Sequence, residues 1–314
     1  MATMKAVRIH GYGGSEVLVY EDVPRPAVGA DDLLVRVRAV SVNPIDWKIR
    51  EGYLRQWLDV PMPHILGSDL AGDIVALGAN VTGFQVGDAV FGMVDMNQGT
   101  NAEYVTVAHT QVAAKPRSLD YNAAATIPLC ALTAWQALVE QGQLAAGQTV
   151  LIHAAAGAVG SFAVQIARLR GARVLGTASP ANAAFLRDLG ADEVIDYHTT
   201  PFEEVAHDVD LVLDSVGGDT QDRSWQVLKP GGLLITLLGL EPGAAAAAAR
   251  GVRGVMQATR PDATQLHEIA DLIDAGRIRP ATHTVLPLAA ARQAHDLSQS
   301  SHARGQIVLR VGGD

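Results

Sequence analysis

The sequence predicts an α/β protein of two domains: a β domain built from both chain ends, and a doubly wound parallel sheet between them. Three observations carry this. Residues 1–120 are written in short strands cut by turns. Residues 121–276 alternate apolar strands with helices, the pattern of βαβ units and a parallel sheet. Residues 277–314 return to a strand, a helix and a closing strand that fits back on the first domain. The expected domains are therefore 1–120 with 277–314, and 121–276. The 314 residues are enough for two ordinary domains.

The elements can be justified in order. "LLVRVRAVSVN" alternates apolar and polar residues, as a half-buried strand does. "LAGDIVALGANVTGFQVGDAVFGMV" is β-branched and interrupted by glycines, with a turn at Gly87-Asp88. "YNAAATIPLCALTAWQALVEQGQL" is helical by its three and four spacing. Then come strand "QTVLIHA", helix "AVGSFAVQIARLRG", strand "ARVLGTAS", helix "PANAAFLRDLG", and strands "ADEVIDY" and "VDLVLDSVG". A helix end at "SWQVLKPG", strand "GLLITLLG" and helix "DATQLHEIADLIDAG" complete the middle. The alanine run Ala244 to Ala249 reads as a helix or variable loop without chemistry of its own. "RGQIVLRV" is the last strand.

Composition narrows the function. Net charge is −9, which argues against a nucleic-acid partner or an anionic membrane surface, both of which need a basic footprint. The one cysteine, Cys130, can form no internal disulfide and fits a reducing, cytoplasmic setting. No apolar core of signal-peptide length opens the chain, and no apolar run is long enough to span a bilayer.

The most informative stretch is "HAAAGAVG", between a strand and a helix. A dinucleotide-binding turn needs a small residue for the tight turn, a glycine where the backbone nears the pyrophosphate, and a third glycine for close helix packing. Ala155, Gly157 and Gly160 fill those places, with Ala156, Ala158 and Val159 between them. Alanine admits the turn if its φ is negative. The plain alternative is an ordinary strand-to-helix turn. The helix start offers free N–H groups and a dipole to phosphates.

The end of the next strand sets which cofactor fits. An acid there would hold both ribose hydroxyls and repel a 2′-phosphate. This chain has Thr177, Ala178 and Ser179 instead. The missing carboxylate points to NADPH, with NADH as the alternative. Ser179 also fits as a plain helix N-cap.

These pieces, with "AVSVNPIDWKIREGY", "PHILGSDLAGDIVALG", "VGDAVFG", "IPLCALTAWQAL", "LGADEVIDY", "LDSVGG" and "LKPGG", lie in one order over nearly the whole chain. So arranged, the chain resembles the zinc-independent quinone oxidoreductase branch of the medium-chain dehydrogenase/reductase superfamily. The resemblance implies a discontinuous GroES-like domain, a Rossmann domain, a nicotinamide hydride donor, and a homodimer through the Rossmann sheet edge near "LLITLLG" and "VRGVMQATRP". Zinc-dependent relatives carry a cysteine and a histidine where this chain has Asn43 and Ser68, and amide and hydroxyl are poor zinc ligands. No metal is expected. The activity implied is metal-free reduction of a quinone or an α,β-unsaturated carbonyl by NADPH. A discrete enoyl-thioester reductase, and a non-catalytic NAD(P)H-binding sensor or structural protein, are the alternatives.

Site residues follow from the same resemblance. Asn43 could donate to the substrate oxygen or the cofactor ribose, or be a turn-forming asparagine before proline. Tyr53 could stabilise an oxyanion and supply a proton, or merely pack. Asp46 sits where the family keeps an acid and is expected to order its loop. Thr133 is placed at the start of a helix facing the cofactor, or bonds within that helix. Val216, Gly217, Leu238 and Gly239 follow parallel strands, where such sheets bind ligands. Tyr197 closes the third strand on the adenosine side.

Overall fold

The computed structural model describes residues 2–281, 283–300 and 305–312. The structure forms two compact units: residues 1–129, 260–276 and 280–314, and residues 130–259 and 277–279. Each is described separately.

In the first unit, β1 (Thr3–Ile9) pairs antiparallel with β2 (Leu18–Pro24). The long β3 (Asp32–Val42) leads into α1 (Pro44–Arg50), and β4 (His64–Ile65) returns to β1. Then follow β5 (Asp69–Leu77), β6 (Ala89–Met93), β7 (Tyr104–Ala108), β8 (Val112–Ala114) and α2 (Tyr121–Ala125). The alternation in "LLVRVRAVSVN" predicts a half-buried strand, but β3 is covered along most of its length, with Leu33, Leu34, Val35, Val37 and Ala39 to Val42 all buried. The cause is tertiary: β3 is paired by β5, β7 and the last strand of the chain, and α2 packs against it. Each buried valine or leucine there contributes roughly 1.5–3 kcal/mol.

The helical stretch after Tyr121 is broken. α2 ends at Ala125 and α3 (Pro128–Trp135) starts afresh, continued by a π-helical segment Gln136–Gln141. Pro128 has no N–H to extend α2 and disfavours helical geometry in the residue before it.

The second unit holds β9 (Thr149–Ile152), α4 (Ala158–Leu169), β10 (Arg173–Ala178), α5 (Ala183–Leu189), β11 (Glu193–Asp196), β12 (Val209–Asp214), α6 (Gly218–Val227), β13 (Leu228–Thr236), α7 (Gly243–Ala248) and β14 (Arg253–Met256). The strands pair in parallel in the order β11-β10-β9-β12-β13-β14. α5 ends in Gly190 at φ +108°, a left-handed cap that glycine adopts without strain. Leu151, Leu175, Val212, Leu234 and Trp225 lie in one core cluster of this unit.

The chain then re-enters the first unit with α8 (Ala263–Asp274), β15 (His283–Pro287), α9 (Ala291–Gln299) and β16 (Gln306–Arg310). β16 pairs with β3 and with β15, so the chain's end joins its beginning in one sheet. Arg304, in the closing motif, lies outside the described residues. The compact units depart from the textural boundaries at residues 121–129 and 260–276, which join the first unit, and at 277–279, which join the second. The first two stretches are helical, like the middle of the chain, but α2 packs on β3 and β5 and α8 packs on β8.

Candidate active site

In the second unit the strand order reverses between β9 and β12: from β9 the chain steps outward one way through β10 to β11, then crosses back to β12 and steps the other way through β13 to β14. Ligands bind such sheets beyond the C-terminal strand ends at this switch point. The turn after β9 stands there. Ala155 is fully buried and lacks a positive φ, as the sequence reading required; the left-handed residue is Ala154, at φ +48°. Gly160 cannot be replaced cheaply. A Cβ on it would lie 2.5 Å from the Ala154 carbonyl oxygen and 2.7 Å from Ala155 Cα. Ala155 itself needs room, and β10 provides it: a Cβ on Gly176 would come within 2.8 Å of the Ala155 methyl. Gly157 caps α4, whose first-turn N–H groups have no helical partners. A cradle closed to a Cβ at Gly160 and opening on a helix start fits a dinucleotide pyrophosphate.

The other candidates end neighbouring strands. Thr177 is buried, and its hydroxyl is shared by His153 Nδ1 at 3.3 Å and the Ala154 N–H at 3.2 Å. Ala178 ends β10. Ser179 precedes a short turn and accepts from Asn182 Nδ2 at 3.2 Å. Tyr197, just past β11, is 57% exposed and stacks on His198 at 4.2 Å. Val216 and Gly217 both donate N–H groups to Asp214 Oδ1 at 2.9 Å. The Leu238 N–H donates to Thr236 Oγ1, and the Gly239 carbonyl accepts from Gln221. Thr133 stands apart. It lies late in α3, not at its start, and its hydroxyl is 2.8 Å from that of Thr259.

In the first unit, Asn43 and Asp46 do come together. Asn43 caps α1, and its N–H donates to Asp46 Oδ2 at 2.7 Å; the Asp46 N–H returns to the Asn43 side chain. The Asn43 amide also donates to Ser41 Oγ at 2.9 Å and to Asp69 Oδ2 at 2.8 Å. Two N–H groups with two acceptors leave this amide no donor for an oxyanion, so its present role is to tie α1 to β3 and β5. Asp69 also accepts from the Ser41 hydroxyl and, at 2.7 Å, the Leu129 N–H.

Asp46 and Asp69 are fully buried without a cation on either. Burial pushes the Asp46 carboxyl up to about 7; the Asn43 N–H opposes this and the Asp69 charge adds to it. Burial lifts Asp69 to about 6 against its three hydrogen-bond donors. Asp46 Oδ1 has no partner. Tyr53 lies elsewhere, 62% exposed, its ring edge-on to Trp47 at 6.0 Å and its hydroxyl bonded to Glu51.

Sequence reasoning passed over Asp69, Ser41, His153, Asp214, Gln221 and Ser224, all buried. The available signal was a polar residue at an apolar strand position, as in "LIHA" and "LVLDS".

Residues 29–117 match the alcohol dehydrogenase GroES-like domain, and residues 189–309 the zinc-binding dehydrogenase domain. The chain is 34% identical to the mitochondrial NAD(P)H oxidoreductase RTN4IP1 of Danio rerio, over 99% of this chain and 92% of that protein. It is 32% identical to the chloroplastic NADPH-dependent alkenal/one oxidoreductase of Arabidopsis thaliana, over 98% and 79%. The quinone oxidoreductase structure from Coxiella burnetii superposes with a TM-score of 0.88 at 33% identity, covering 99% of this chain and 100% of that one. The chain belongs to the quinone and alkenal oxidoreductase branch of the medium-chain dehydrogenase/reductase superfamily. As a member it is an oxidoreductase using a nicotinamide cofactor, and its α/β fold of a GroES-like unit and a Rossmann unit is the superfamily's.

The zinc of the domain's description does not fit here. Asn43 and Ser68 supply amide and hydroxyl, and the amide is locked to Asp69. Among the described residues no group of three or more His, Cys, Asp or Glu is disposed to hold a metal ion. No helix of the described residues is long and apolar enough to cross a membrane. The two relatives named above are mitochondrial and chloroplastic, and they lend the cytoplasmic expectation no support.

Proposed function

We propose that this oxidoreductase is a metal-free, NADPH-dependent reductase of quinones or α,β-unsaturated carbonyls. The observation that carries the cofactor choice is the end of β10: Ser179 stands where an acid would reject a 2′-phosphate, and Asn182 holds its hydroxyl in place. Ala154 to Gly160 would cradle the pyrophosphate, Ser179 and Tyr197 would meet the adenosine phosphate side, and Val216, Gly217, Leu238 and Gly239 would border the remainder. Thr133 is held in reserve, since its hydroxyl is shared with Thr259.

A dihydronicotinamide held by that cradle would supply a hydride to an electron-poor acceptor, which needs no Lewis acid; the protein's own part is to offer hydrogen-bond donors and one proton to the oxyanion so formed. Tyr53 is the donor we assign, because its phenol is exposed and can exchange its bond to Glu51 for one to substrate, while the Asn43 donors are buried and committed. Asn43 and Asp46 position α1. A homodimer along the open edge strand β14, where Met256 is 54% exposed, completes the proposal.

The test is oxidation of NADPH and NADH, side by side, against quinones, enals, enones and an enoyl thioester. Turnover of quinones or enones with NADPH, unaffected by a chelator, is expected. Tight NADPH binding with no acceptor reduced would overturn the enzymatic reading, and turnover of the thioester alone would move the acceptor class. Tyr53→Phe should lower kcat about tenfold; an unchanged kcat removes the tyrosine from its role.

A further inference from the structure

Helix α6 turns two polar side chains into the second unit. Gln221 and Ser224 are fully buried and one helical turn apart, hence on one face. Each begins a chain of hydrogen bonds to the strand ends.

Gln221 Nε2 donates to Asp214 Oδ2 at 2.8 Å, and lies 3.1 Å from Thr236 Oγ1 and 3.0 Å from the Gly239 carbonyl. Its Oε1 accepts from the Glu241 N–H at 2.7 Å. Thr236 Oγ1 donates to the same Asp214 oxygen at 3.0 Å and accepts from the Leu238 N–H at 3.1 Å. The other Asp214 oxygen takes the Val216 and Gly217 N–H groups. One glutamine thus joins the loops after β12 and β13.

Ser224 reaches the other two strands. Its hydroxyl donates to the Thr220 carbonyl at 2.6 Å, leaving its oxygen to accept from His153 Nε2–H at 2.8 Å. That fixes the tautomer: Nδ1 is the acceptor and takes the Thr177 hydroxyl proton at 3.3 Å. Thr177 Oγ1 then accepts the Ala154 N–H, at the one residue of the turn with positive φ. Burial holds His153 neutral, lowering it to about 4, so the chain keeps one direction at ordinary pH.

We propose that Gln221 and Ser224 are positioning residues for the dinucleotide cradle, acting through Asp214 and His153 on the ends of β9, β10, β12 and β13. None of the four would touch the cofactor; they set the backbone that does. The inference rests on the cradle reading above.

The test uses the full chain in Gln221→Met, Ser224→Ala and Ser224→Thr forms. Two readouts are taken: amide hydrogen exchange of residues 153–157, 215–217 and 237–239 without cofactor, and the NADPH dissociation constant by fluorescence titration. Gln221→Met should raise the dissociation constant about tenfold, and Ser224→Ala a few-fold, with kcat at saturation nearly unchanged. Exchange should quicken in 215–217 and 237–239 for the first variant and in 153–157 for the second. Ser224→Thr, which keeps the hydroxyl, should restore both. Wild-type exchange and affinity in both Gln221→Met and Ser224→Ala would overturn the inference, as would a fall in melting temperature alone. If Gln221→Met does not fold, the serine pair decides. If the wild-type chain binds no NADPH, the cradle reading falls, while the exchange data still decide whether α6 sets these loops.

Discussion

Asp214 in the second unit and Asp46 in the first are both buried carboxylates, and their surroundings differ sharply. Asp214 accepts from the Val216 and Gly217 N–H groups, the Gln221 amide and the Thr236 hydroxyl. Asp46 accepts from the Asn43 N–H on one oxygen and has no partner on the other. A buried charge is tolerable when its oxygens are filled by donors; otherwise the group binds a proton instead. The second unit therefore fixes the shape of its strand ends with a satisfied network. The first unit keeps a carboxyl whose protonation changes near neutrality, beside a second, Asp69, close behind it.

The severest attempt to break this contrast is Gly160→Val. Its Cβ would strike backbone atoms of Ala154 and Ala155 that cannot move without undoing the turn. A loss of NADPH affinity on the order of a hundredfold or more is expected by calorimetry. Near wild-type binding would mean that the cradle is soft. A smaller effect should follow from Ser179→Asp, which restores the acid the turn lacks. The ratio of NADPH to NADH affinity should fall about tenfold, read from paired titrations. An unchanged ratio would show that this strand end does not select the cofactor.

The remaining test belongs to the first unit and reads stability rather than binding. The Asp46 carboxyl has a folded pKa above its unfolded value, so the stability it contributes is fully present below about 3.9 and disappears as pH rises through about 7. Asp46→Asn, neutral at every pH, should flatten the decline in unfolding free energy between about pH 4 and 7 by on the order of 2–4 kcal/mol. Urea melts across that range measure it, and parallel pH trends in the two proteins would refute the assignment. Asp69 should leave part of the slope behind.

The fold was legible because it is written in periodicity. Strands of β-branched residues, helices closed by Gly171 and Gly190, and the turn around Gly157 and Gly160 all act locally. β3 was misread as half-buried because its covering comes from strands far away in sequence. At the proposed site the sequence displays the backbone features, as at Gly160 and Gly217, and hides the side-chain partners. Nothing local in "SVNPID" reveals that the Asn43 amide points at Asp69, 26 residues on. Nothing around Thr133 announces Thr259. Polar partners of this kind are chosen by topology, and a single sequence does not display them.

The Ala155 methyl and the bare Cα of Gly176 constrain the order in which this chain can change. While alanine stays at 155, a side chain at 176 is closed off by a 2.8 Å contact. Once 155 becomes glycine, 176 is free to gain one. The two positions have a one-way history: substitutions harmless in one sequence of events are forbidden in the other, and a survey testing each position alone would score Gly176 as indispensable when it is only conditional.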